Sequence, residues 1–111
     1  MTAHANSSGL RRANDPPLLI LTSLAGGSKH GHALLKDIES FAGVRLGAGA
    51  LYGAITRLEE RGLIEALESN DRRRPYQITS DGTRALAGVV AEMRDLAKVG
   101  AARLKLSWGA S

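Results

Sequence analysis

Residues 46–64, LGAGALYGAITRLEERGLI, carry apolar side chains at helical spacing, with Leu51, Ile55 and Leu58 at i, i+4 and i+7. The pattern predicts an amphipathic helix that stops at Gly62, where positive φ is easily taken. Its outer face holds Gly49, Ala50, Gly53, Thr56 and Arg57, with the acidic Glu60 only at the far end. Each glycine costs such a helix about 1 kcal/mol relative to alanine. That loss is tolerable where another molecule must approach the backbone closely. A helix whose N-terminal half is small, polar or basic outside suits a DNA major groove; a plain surface helix of weak propensity fits the same pattern.

The flanking patterns place this helix third. Asp15-Pro16-Pro17 reads as a helix start, followed by Leu18, Leu19, Ile20, Leu21 and Leu24, apolar nearly all round and ended by Gly26-Gly27. Ser28 is the expected cap of a second helix over residues 29–41, with Leu34, Leu35, Ile38 and Phe41 inward and Ala42-Gly43 closing it. After Gly62 the period changes. Residues 63–67 and 76–78 predict two strands around a polar turn at 69–74, whose tip bears Arg72, Arg73 and Arg74. Pro75 is acceptable at the start of the return strand. Thr79-Ser80-Asp81 then caps a long helix. Leu86, Val90, Met93, Ala97, Gly100 and Leu104 recur along it as a heptad seam, widened by Val89 and Leu96. A seam that broad predicts a homodimer, with Leu18 and Leu21 of the first helix joining it; packing on its own domain is the alternative.

The expected fold is therefore mostly α with a small β-hairpin (α+β): a winged helix-turn-helix with a long C-terminal dimerisation helix. Residues 1–14 read as a disordered tail, 15–79 as the DNA-binding domain, 80–107 as the dimerisation helix and 108–111 as a C-terminal tail.

Composition narrows the function. The 111 residues suit one domain, and a formal charge of +4 favours an anionic partner. Cysteine is absent, which removes disulfides and thiolate metal sites. The longest apolar run, residues 18–21, cannot span a bilayer, and the N-terminus lacks a signal-peptide core. A cytoplasmic location without membrane contact is expected. His30 and His32 are two apart, which on a helix points them about 200° from each other, so no metal site is expected. No nucleophile elbow, phosphate loop or HExxH pattern is present, so neither an enzyme nor a cofactor is expected.

Several stretches resemble one family. LLILTSLAGGSKHGHALLKDI, GALYGAITRLEERGLIEA and RRRPYQITSDGTRAL together resemble the PadR-like bacterial transcriptional regulators, over residues 17–87. His30-Gly31, Leu51-Tyr52 seven residues before Leu58-Glu59, Gly62-Leu63-Ile64 and the Tyr76, Thr79, Gly82 spacing are the specific pieces. The chain departs from the family pattern at His32, where an aromatic is usual, at Ala50 in place of Thr, and at Gly53 in place of Pro. The short C-terminal part is similar to the small subgroup with one dimerisation helix.

The resemblance implies a homodimeric regulator of transcription, a repressor released by a small effector, that binds double-stranded operator DNA. A winged helix kept as a protein-interaction module is the alternative. Expected DNA contacts are Gly49, Ala50, Gly53, Thr56 and Arg57 on the third helix, and Arg72, Arg73 and Arg74 on the hairpin. Tyr52 is either a phosphate donor or a structural ring, and Lys29 a phosphate contact near the second helix. The small relatives also imply an apolar pocket within the dimer for a flat aromatic effector. Trp108 lies either in such a pocket, against the partner's first helix, or in a frayed end.

Overall fold

The computed structural model describes residues 15–70 and 73–105. The element order is α1 (Pro16–Ala25), α2 (Gly31–Ala42), α3 (Ala48–Glu60), β1 (Ile64–Ala66), β2 (Tyr76–Ile78) and α4 (Ser80–Leu104). It matches the order expected from the hydrophobic pattern. Among the described residues no helix is long and apolar enough to cross a membrane.

Helix α1 is the central element, packing on α2, α3, α4 and β2. Prolines occupy its first positions, where their missing N–H groups leave no bond unmade. Asp15 stands at the N-cap, yet its carboxylate makes no capping bond, contrary to expectation. Leu19, Ile20, Leu21 and Leu24 are buried together with Leu34 and Ile38 of α2 and Leu51, Ala54, Ile55 and Leu58 of α3. Burying each such large side chain contributes about 1.5–3 kcal/mol.

Helix α2 starts at Gly31, and His30 rather than Ser28 is its N-cap. The reason is tertiary. Lys29 forms a two-bond bridge to Tyr76, its N–H donating to the Tyr76 carbonyl (3.1 Å) and its carbonyl accepting from the Tyr76 N–H (2.9 Å). A residue held in a β-bridge cannot also open a helix. The bridge adds a third edge to the hairpin and ties the start of α2 to the wing. At the other end, Gly43 takes φ 68° and closes α2 as expected. Phe41, expected inward, is 46% exposed.

The strands pair antiparallel, with Ile64 opposite Ile78 and Ala66 opposite Tyr76. Thr79 joins hairpin to α4. Its hydroxyl donates to the Gly62 carbonyl (2.7 Å) and accepts from the Gly82 N–H (3.0 Å), while its own N–H donates to the Leu63 carbonyl (3.1 Å). Gly82 fits against the same carbonyl. A Cβ there would collide with the Leu63 oxygen and lie 2.8 Å from Ile78 Cγ1.

Two expected dimer residues are corrected here. Leu21 and Leu86 are buried in the chain's own core, so they leave little surface for a partner. Helix α4 begins as part of the domain and then leaves it. Val89, Val90, Met93, Leu96, Val99 and Leu104 are exposed, Leu96 and Leu104 by 72% and 71%. Ala97 and Gly100 are half-buried, and a Cβ at Gly100 would meet open space.

Candidate nucleic-acid interface

The packing of Leu51, Ala54, Ile55 and Leu58 turns the opposite side of α3 to solvent. Gly49, Ala50, Tyr52, Thr56, Arg57 and Glu60 are exposed there, and Gly53 is half-buried. A Cβ on Gly49 would meet none of the described residues within 4 Å. At Gly53 it would meet, among the described residues, only the Arg57 guanidinium, at 3.5 Å. Neither glycine is required by packing inside the domain. The Thr56 hydroxyl donates to the Tyr52 carbonyl (2.9 Å), which leaves it as an acceptor toward any incoming group.

A cleft of about 270 Å³ adjoins this face, lined by His30, Gly31, His32, Tyr52, Arg73, Arg74 and Tyr76. Three pieces of backbone meet there: the start of α2, the flank of α3 and the base of the hairpin. The Lys29–Tyr76 bridge sets the distance between the first and the last. Gly31 sets the rest. Its missing side chain admits the Tyr52 phenol, whose Cζ would lie 2.9 Å from a Cβ at that position. Burial pushes the Tyr76 phenol above its ordinary pKa, Glu59 and Tyr52 push the same way, and Arg74 opposes them. At neutral pH Tyr76 is therefore a neutral hydroxyl, able to donate.

Lys29 departs from its expected role. Its ammonium group donates to the carbonyls of Ser23 (2.6 Å) and Gly27 (3.1 Å) and lies 3.8 Å from the Asp37 carboxylate, which also accepts from the Ser23 hydroxyl at 2.6 Å. The lysine thus satisfies the carboxyl end of α1, where a cation is favoured by the helix dipole. Its charge is engaged inside the domain.

Arg73 and Arg74 are exposed at the base of the hairpin tip. Arg72 and Trp108 lie outside the described residues. Helical spacing alone would point the two histidines apart, whereas both line the cleft. His30 precedes the helix, so the 100° rule does not apply to it. The local pattern puts Tyr76 on a strand and gives it no role at a site. Its signal exists only in combination, as the partner of Lys29 across a bridge that no local pattern announces. Among the described residues no cluster of three or more His, Cys, Asp or Glu side chains is arranged to hold a metal.

A second feature lies away from this face. Leu18, Leu19, Thr22, Phe41, Ala42, Val90 and Met93 line an apolar groove of about 290 Å³ between α1, the end of α2 and α4. It is continuous with the exposed stripe of α4 through Val90 and Met93.

Residues 20–88 match the model of the transcriptional regulator PadR-like family. An uncharacterized 37.1 kDa protein in transposon Tn4556 of Streptomyces fradiae is 45% identical over 75 residues. That match covers 68% of the chain but 22% of the transposon protein, so the chain spans about a fifth of that relative's length. Among solved structures, a PadR family transcriptional regulator from Eggerthella lenta superposes with a TM-score of 0.72 at 28% identity, covering 94% of the chain and 93% of its own. A PadR family transcription regulator from Clostridium difficile also gives 0.72 at 26% identity, over 80% of the chain and 97% of its own.

Proposed function

Because the chain belongs to the PadR-like family of transcriptional regulators, we propose that it works as a homodimer that binds double-stranded operator DNA. In this reading it represses transcription and is released by a small aromatic effector. The observation that carries it is the outer face of α3. Two glycines stand there with no internal neighbour that requires them, beside an exposed arginine. Backbone stripped of side chains on a solvent face is explained by a second surface that comes close, and a major groove is of the right width for a helix. Arg57 and Thr56 face the bases or the backbone, and the hairpin arginines grip phosphate beside them.

The dimer rests on a different feature. A stripe holding Val90, Met93, Leu96 and Leu104 in water is large for a monomer of this size. A second α4, with the groove beside Leu18 and Phe41 taking part, covers it. The winged domain over residues 15–79 would then be the reading head and residues 80–107 the dimer arm.

Fluorescence anisotropy with duplexes tiled across the DNA upstream of the chain's own gene, at about 50 and 200 mM salt, tests the reading. One duplex should bind far more tightly than the rest, and affinity should fall steeply with salt. A folded protein that binds no duplex at the lower salt overturns it.

A further inference from the structure

The cleft at the start of α2 holds imidazole and phenol groups that the major-groove reading does not use. Among the described residues, two imidazoles, two phenols and two guanidinium groups line it, and no carboxylate does. The N-terminus of α2 opens onto it, and the side chain of its N-cap, His30, makes no capping bond. The His30 Nδ1 atom is shut away from solvent and has no hydrogen-bond partner among the described residues. Leaving a buried polar nitrogen without a partner is costly. Native folds seldom keep such an atom without a reason.

We propose that this cleft seats one phosphodiester of the DNA backbone, with His30 as a direct ligand beside the Tyr52 and Tyr76 hydroxyls and Arg74. The inference rests on the DNA-binding reading and assigns it a fixed anchor, distinct from the residues that face the groove. A phosphate supplies acceptor oxygens to the donors gathered there. The imidazole presents an N–H to it after a turn about its last torsion. The N–H groups at the start of α2 add their partial positive charge. Gly31 keeps the Tyr52 phenol pressed against the start of α2, and the Lys29–Tyr76 bridge keeps the far wall in register. The two tyrosine walls of the seat are thus in place before DNA arrives, and only the His30 ring has to turn. Because it reads only the backbone, it acts equally on all sequences and fixes how α3 enters the groove.

The test uses the full chain with a mixed-sequence duplex and with the tightest duplex from the upstream region. The variants are His30→Gln, Tyr52→Phe and Arg74→Gln, each checked by thermal melting. Tyr52→Phe removes one hydroxyl and keeps the ring, so it remains informative if His30→Gln fails to fold. Both should weaken binding about three- to tenfold, by the same factor on the two duplexes. Arg74→Gln should lower the log–log salt slope by about 0.9. In the unmodified chain, inorganic phosphate added at constant ionic strength should shift the His30 ring resonances saturably. If the unmodified chain binds DNA while His30→Gln and Tyr52→Phe bind it equally well, the seat is wrong and the DNA reading stands. Ring resonances indifferent to phosphate count against the seat in the same way. If the unmodified chain binds neither duplex, both fall together.

Discussion

Helices α3 and α4 leave the same core with opposite surfaces. Helix α3 hides four apolar side chains and shows water glycine, alanine, threonine and arginine. Helix α4 gives Gly82, Ala85 and Leu86 near its start to the domain core and shows water valine, methionine and leucine. The helical period is the same in both. What differs is the chemistry of the outward face, and with it the kind of surface that can cover it. Small and basic positions admit a hydrated, anionic groove. A broad aliphatic stripe gains only by meeting another apolar surface.

The glycines make the contrast sharpest. At Gly82 a methyl group would strike the Leu63 carbonyl, which is held by the Thr79 N–H and cannot retreat. At Gly53 the same methyl would meet an arginine tip at ordinary contact distance. One glycine serves the inside of the molecule, and the other leaves room outside it.

Gly82→Ala therefore has the largest expected effect, a loss of about 3 kcal/mol or more in stability, read by chemical denaturation, with binding and assembly lost as a consequence. Met93→Glu should act on α4 alone. A charge placed in the apolar stripe should turn a dimer into a monomer in sedimentation, while the melting of the winged domain persists. An unchanged dimer would place the interface on another face. Gly53→Leu should act on α3 alone, abolishing duplex binding with the fold intact, whereas Glu60→Leu, further along the same face, should reduce binding much less. Normal binding by Gly53→Leu would refute groove insertion. Replacing Arg72, Arg73 and Arg74 by alanine should weaken binding to any duplex and lower the salt slope by about 0.9 for each phosphate that is no longer neutralised. The smallest effect expected is that of Gly53→Ala, a gain of about 0.5–1 kcal/mol in stability, since a better helix former meets an arginine tip at ordinary contact distance. Set beside Gly82→Ala, it tests whether one substitution changes sign between the two helices.

The sequence by itself determined the order of elements and the inward face of α3. Both follow from spacing along the chain, which local geometry translates directly into faces and ends. The helix stops at Gly43 and Gly62, with φ of 68° and 74°, and the Thr79 cap belong to the same class, because they depend on neighbours within a few residues. Tertiary structure decided the rest. Lys29 looks, in the sequence, like a cation beside a helix and open to solvent, yet the bridge to Tyr76 turns its ammonium toward the end of α1. Leu86 looks like the first member of a dimer seam, yet the domain core buries it. His30 and Tyr76, 46 residues apart in the chain, share a cleft only because that bridge and the bare Gly31 bring them together. Periodicity records which side of an element is apolar. It carries no record of which distant element will cover that side, because the pairing is settled by packing of the whole core.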